Sequence, residues 1–263
     1  MNSSPRVLPL LAAAVLLSVL VGFAVGRRAS VKPKTPPPAT SVRFEIASVE
    51  DGTLVLRVPH AAGNIVLDGD MDDPGWIRQS ARTHAFVGPD GVTPARPFSE
   101  ARFVWGDGFL YVGLYAADED IHAKSTQHDA PAAGDDTFHV VFTDGTVDRV
   151  LDLNPLGTLT DGTRPAGTDA PLDLSWESGA HVSNEMDGTP NKSTDHDEEW
   201  VIEMAIPFES LGMKGDKGER IGVFLERCDT PNSGKTVCGR WGQPSTGTHE
   251  QGEPVREAFL LLD

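Results

Sequence analysis

Two short alternating runs, Ala101-Arg102-Phe103-Val104-Trp105 and Phe109-Leu110-Tyr111-Val112-Gly113-Leu114-Tyr115, are separated by Gly106-Asp107-Gly108. Aromatic and β-branched residues on both sides of a Gly/Asp turn specify an antiparallel hairpin, which limits what the remaining chain can pack against. Thr137 to Phe142 and Val147 to Leu153 repeat the pattern around Asp144-Gly145. Trp200, Ile202, Met204 and Ile206 alternate with Val201, Glu203 and Ala205, the period of a strand, until Pro207 ends it. Phe208 to Gly212 then makes at most one helical turn, and Ile221 to Arg227 and Ala258 to Leu262 complete the strand set. Long amphipathic helices are missing, while 27 Gly and 20 Pro supply turns. The expected fold is all-β, an antiparallel β-sandwich of jelly-roll or immunoglobulin-like type with short helical turns, preceded by an N-terminal hydrophobic helix.

That N-terminal helix is read from Val7 to Gly26, a run of apolar and small residues interrupted only by Ser18. Twenty such residues can span a bilayer. With Arg6 before it and Ala24-Val25-Gly26 as a small-x-small site, the same run fits a secretory signal. Residues 1–26 are therefore expected to be a signal peptide or membrane anchor. Residues 27–41, with V-K-P-K-T-P-P-P-A-T, are a Pro-rich extended linker, and 42–263 one sandwich domain. Arg27, Arg28, Lys32 and Lys34 favour a cytoplasmic side for the flank, but the remaining chain reads as exported: periplasmic, cell-surface or secreted.

Residues 1–26 carry one basic residue, Arg6, and no acid, so the rest has 22 − 1 = 21 basic against 39 acidic residues, a formal −18. Nucleic acid binding needs phosphates neutralised by Lys and Arg, so this balance argues against it. Carboxylates can instead hold hard cations. Cys228 and Cys238 flank a nine-residue loop between two strands and are expected to form a disulfide worth about 2–3 kcal/mol by loop entropy. No H-x-x-x-H, H-E-x-x-H or G-x-S-x-G spacing appears, so a zinc hydrolase or serine hydrolase is not supported and no enzyme is expected.

Asn64 to Trp76 reads N-I-V-L-D-G-D-M-D-D-P-G-W. Asp68, Asp70 and Asp72 have the spacing of an acidic calcium loop, but Gln79 stands where an EF-hand places its glutamate. The segment is read instead as strand, Asp68-Gly69 turn and short helix, with Asp72 as the helix cap.

Four segments in order then carry a resemblance: I-V-L-D-G-D-M-D-D-P-G-W, F-V-W-G-D-G-F-L-Y-V-G-L-Y-A-A-D-E-D-I, G-D-D-T-F-H-V-V-F-T-D and E-E-W-V-I-E-M-A-I-P-F-E-S-L-G. Together they resemble carbohydrate-binding module family 9 over Gly63 to Asp263. The resemblance implies a non-catalytic β-sandwich with structural calcium that clamps the end of a sugar chain between two tryptophans. Position by position, the clamp is not carried over. Ala132-Ala133-Gly134-Asp135-Asp136 lacks the first tryptophan, His139 replaces a glutamate, the region of Asp152 replaces an arginine, and Pro244 to Glu253 has no aromatic.

Sugar stacking needs an exposed flat ring. Trp76, Trp105 and Trp200 lie in core-like patterns, so Trp176, beside Asp173 and Glu177, is the leading platform. Trp241 matches a framework tryptophan but precedes the terminal loop, and with Arg227 and Asp152 completes the candidate ligand contacts. Asp118 and Asp120 end the hairpin and are expected to meet Asp135 and Asp136 as a calcium site. The functional expectation is an exported, non-catalytic carbohydrate-binding or carbohydrate-binding-derived module with a polysaccharide or oligosaccharide partner. A structural or protein-interaction domain that lost the sugar site is the alternative. A haem b electron-transfer domain using His128, His139, Met186 or Met204 is the third.

Overall fold

The computed structural model describes residues 43–50, 52–231, 235–242 and 258–263, with the backbone alone for 43–46. The apolar leader, the Pro-rich linker and the loop after Gly242 lie outside the described residues.

Two sheets form. The smaller orders β1 (Arg43–Ile46), β4 (Gln79–Arg82), β5 (Ser99–Gly106), β6 (Phe109–Ala117), β11 (Glu199–Pro207) and β10 (His181–Asp187). The larger runs β2 (Ser48–Glu50), β3 (Thr53–Val58), β14 (Ala258–Leu262), β12 (Arg220–Asp229), β7 (Thr137–Thr143), β8 (Val147–Leu153) and β9 (Leu159–Pro165). A further strand, β13 (Val237–Trp241), also pairs with β12. The β1–β4 and β14–β3 pairings are parallel, and the other strand pairings are antiparallel.

The expected hairpin closes in two residues. Asp107 and Gly108 have φ of 53° and 88°, the positive pair that a right-twisted two-residue hairpin requires. Alternation then sorts the side chains. Phe103, Val112, Leu114 and Ile202 from one sheet meet Leu56, Phe138, Val140, Leu225 and Leu260 from the other in one core. Phe138 and Trp200 pack across it at 4.9 Å between ring centroids.

β11 differs from an ordinary half-buried strand: Val201, Glu203 and Ala205, on the face away from the core, are buried as well. The Asn64–Trp76 motif covers that face. Met71 and Trp76 join Val104 and Val201 in a second, smaller apolar cluster. Gly113 sits beneath Met71 and Trp76, where a Cβ would collide with the Met71 side chain. Glu203 is fully buried between sheet and motif. One of its oxygens, Oε2, accepts the backbone N–H groups of Asp68 (3.0 Å) and Gly69 (2.7 Å), and Oε1 accepts the Trp76 indole N–H (2.6 Å). Burial pushes the Glu203 carboxyl upward, and these three donors oppose the shift.

The helix of the motif, α1, spans Pro74–Arg78, with Pro74 in the first turn. Its cap is Asp73 and not Asp72. The Asp73 side chain makes no cap bond; its Oδ2 accepts the Val66 N–H (2.6 Å) and ties the two arms of the loop together.

Candidate functional site

The acids expected to hold calcium divide into two groups. Asp118 follows β6 and is buried. Its Oδ2 accepts Arg227 Nη2 (2.6 Å) and Trp200 Nε1 (3.2 Å), and its Oδ1 accepts the Asp120 N–H (3.0 Å). Asp136 lies within reach: one ligand atom each of Asp118, Asp136 and Asp229 falls within 4.8 Å of the others. Asp135 is turned elsewhere. Its carboxylate accepts the N–H groups of Lys124 (2.9 Å) and Ser125 (2.9 Å) and the Asn154 side-chain amide (2.9 Å), which locks a loop. Asp135 therefore leaves the expected cation group, and Asp229, at the end of β12, enters it.

Arg227 dominates this group. Only 2% exposed, it reaches Asp118 and, at 3.1 Å, Asp229. This is the cation of the group, so Arg227 holds carboxylates together inside the sandwich and does not present itself to a ligand. Asp136 accepts the His122 N–H on Oδ2 and the Thr230 N–H on Oδ1, both at 2.6 Å. Burial, and then the negative charge of Asp118, nevertheless push its carboxyl up to about 8. Burial also raises Asp229, against the pull of Arg227. The Arg227 guanidinium and the raised Asp136 carboxyl together reduce the negative charge that the three acids carry. The guanidinium stands where a calcium ion would gather its oxygens, so these donors fit a salt-bridged cluster better than a six- to eight-oxygen calcium shell.

The tryptophans separate as sharply. Trp241 is 4% exposed and part of the core, where it pairs with Leu225 across β13 and β12. It offers no stacking surface, which corrects its place among the sugar contacts. Trp76 and Trp200 are fully buried. Trp105 packs edge-on against His60 at 4.7 Å and donates its indole N–H to the Val58 carbonyl (3.0 Å). Trp176 is half-buried in the stretch that follows Asp173. Of the residues considered for haem, Met204 is in the core, whereas His139 lies on the far side of the larger sheet.

On that outer face a polar row crosses five strands. Register places Arg240 (β13) beside Glu226 (β12), then His139 (β7), Asp152 (β8) and Thr160 (β9). At strand spacing the row is about 19 Å long. Arg240 Nε donates to Glu226 Oε2 (2.6 Å), and His139 Nδ1 lies 2.5 Å from Asp152 Oδ1. Phe224 sets its ring edge-on to His139 at 6.1 Å. The row is partly exposed: side-chain accessibilities are 26% for His139, 30% for Asp152 and 43% for Arg240. The disulfide between Cys228 and Cys238 joins β12 to β13 next to it. His139 stands where the resemblance expected a glutamate, and Asp152 lies in the region where it expected an arginine. Glu226 and Arg240 were not foreseen, because they stand 14 positions apart and only the β12–β13 register brings them side by side.

No protein-family model matches the sequence, and no curated protein matches it. Solved structures do. A candidate carbohydrate-binding protein of Bacteroides uniformis superposes with a TM-score of 0.57 at 12% identity, covering 80% of this chain and 99% of its own. A family 9 carbohydrate-binding module of Caldicellulosiruptor kristjanssonii, solved with cellotriose, gives 0.51 at 16% identity over 79% of this chain and 93% of the module. The same organism's module with glucose gives 0.50 at 16% identity over 79% and 95%. At these identities the likeness is one of architecture. The chain is a two-sheet β-sandwich with the fold of the family 9 carbohydrate-binding modules.

Proposed function

We propose that the protein binds a glycan on the outer face of the larger sheet, along the row Arg240–Glu226–His139–Asp152–Thr160. The observation that carries this reading is the contrast between the two outer faces. The smaller sheet's is covered by the Asn64–Trp76 motif, while the larger sheet's presents paired, partly exposed donors and acceptors. Charged side chains in fixed pairs suit adjacent sugar hydroxyls, which need a donor and an acceptor close together. Two of the similar structures carry glucose and cellotriose, which supports a saccharide as the ligand class. Binding and not catalysis is the reading, and the affinity comes from polar contacts with Trp176 as an optional platform at the sheet's β9 edge.

The test is calorimetric titration of the full chain with xylo- and cello-oligosaccharides, repeated for His139→Ala, Asp152→Ala and Trp176→Ala. Loss of the heat in the first two variants with unchanged melting temperatures supports the row. A full set of silent titrations with folded protein rejects it. That second outcome favours a structural or protein-interaction domain, a reading supported by the burial of Trp76, Trp200 and Trp241, which leaves few rings for stacking.

We further infer export, with residues 1–26 as the leader or anchor and 27–41 as the spacer. The Cys228–Cys238 disulfide supports this, since such bonds persist in oxidising compartments. Mass spectrometry of the mature N-terminus decides between cleavage and anchoring. The Asp118–Asp136–Asp229 group is read as held by Arg227 and not by calcium. A melting temperature that rises in millimolar calcium, and no longer does so in Asp229→Asn, would reverse that reading.

A further inference from the structure

We propose that His128, Asp161 and Glu177, with Asp129 beside them, form a binding site for a divalent metal ion of the zinc class. The site lies at the β9 edge of the larger sheet, beyond the Thr160 end of the polar row and apart from the Arg227 cluster. His128 Nε2 is 3.0 Å from Glu177 Oε2, 3.5 Å from Asp161 Oδ1 and 3.7 Å from Asp129 Oδ1. A tetrahedron of ligands at zinc's bond lengths has edges of about 3.3 Å, so these separations bracket the spacing such an ion imposes.

The independent sign is Asp161. Its side chain is 1% exposed, yet Oδ1 has no hydrogen-bond donor among the described residues. A buried carboxylate oxygen without a donor is costly, and a cation on it removes the cost. Its other oxygen is fixed, accepting the Ser178 N–H (2.7 Å), so Oδ1 is held facing His128. The Asp161 N–H in turn donates to Asp129 Oδ1 (3.3 Å).

Each arm of the site is anchored to β9. The Asp129 N–H donates to the Leu159 carbonyl (3.1 Å), and Thr160 Oγ1 donates to the Ala130 carbonyl (2.9 Å). The stretch carrying Glu177 pairs with β9 through reciprocal Thr163–Asp173 backbone bonds of 3.1 and 2.8 Å. The ligands are thus positioned by hydrogen bonds outside the metal shell, as metal sites require. An imidazole among carboxylates favours zinc or a similar transition metal over calcium, which takes six to eight oxygens. His128 and Glu177 have side chains 48% and 62% exposed, so an ion enters from solvent.

The untagged full chain, solubilised in mild detergent and stripped with chelator, is titrated with zinc chloride and separately with calcium chloride. Its cobalt(II) absorption spectrum is also recorded. One zinc per chain, a rise in melting temperature and tetrahedral cobalt bands are expected. His128→Ala and Glu177→Gln should each weaken zinc by at least about a hundredfold in protein that stays folded, with the metal-free melting temperature of each variant as its own reference. Zinc uptake that is absent, that survives both substitutions, or that yields to calcium overturns the assignment and leaves a protonated histidine paired with acids.

Discussion

Glu203 and Asp118 are both buried acids beside a buried tryptophan, yet the chain accommodates them in opposite ways. Glu203 is surrounded by neutral donors, two backbone N–H groups and the Trp76 indole. Asp118 shares its surroundings with Asp136 and Asp229 and needs the guanidinium of Arg227. The first arrangement uses a charge to fasten a loop onto a sheet. The second uses a cation to hold loop acids at the end of the strands. A lone buried acid can be satisfied by dipoles, whereas several together require an opposite charge or a proton.

The most disruptive way to break this comparison is Arg227→Met. It leaves Asp118 and Asp229 without their cation, and a loss of about 3–5 kcal/mol is expected in urea denaturation, from the cost of orphaning a buried charge. A loss under 1 kcal/mol would show that the cluster is held without Arg227.

The same cluster should make stability depend on pH. Asp136 has its carboxyl raised to about 8 from a usual value near 4. A raised folded value means the native state keeps the proton longer, so the contribution is full below about pH 4 and declines as pH rises through about 8. Denaturation midpoints at pH 5, 6, 7 and 8 should therefore fall, and fall more steeply in Arg227→Met. They are best compared in a His128→Gln background, because Glu177 raises that histidine, and loss of its proton acts in the same direction. A flat profile would mean Asp136 is ionised throughout.

Glu203→Gln sharpens the other half. Its amide replaces an accepting oxygen with a donor facing N–H groups, and a cost of about 2–3 kcal/mol is expected, with no recovery on acidification. Blue- or red-shifted emission from Trp76 would report the released indole. Smallest is Gly113→Ala, where the added methyl displaces Met71 and Trp76 from above the sheet. Overpacking of this kind costs about 1–3 kcal/mol. Thermal melting resolves both, and a neutral Gly113→Ala would show that the covering motif is loosely seated.

Much of this architecture was legible in the residues. Both central hairpins follow from period-two alternation around turns that need positive φ, and β11 follows from the run Trp200 to Ile206. The polar edge strand His181–Asp187 was not, because H-V-S-N-E-M-D carries no apolar face of its own and owes its conformation to pairing with β11. Site residues fared worse for a geometric reason. Arg227 finds Asp118 across 109 positions, and His128 finds Glu177 across 49, so no local spacing betrays either pair. Trp176 and Trp241 both stand among polar residues in the sequence. Only packing separates the half-buried ring from the core one.

β14 lies between β3 and β12, inside the larger sheet, although it comes last of the strands in sequence. Its parallel pairing with β3 and antiparallel pairing with β12 are the bonds that close that sheet. During synthesis the sheet therefore stays in two unjoined parts until nearly the whole domain has left the ribosome. A chain that cannot lock its second layer early keeps strand edges open for longer, and it completes its sandwich only once β14 arrives.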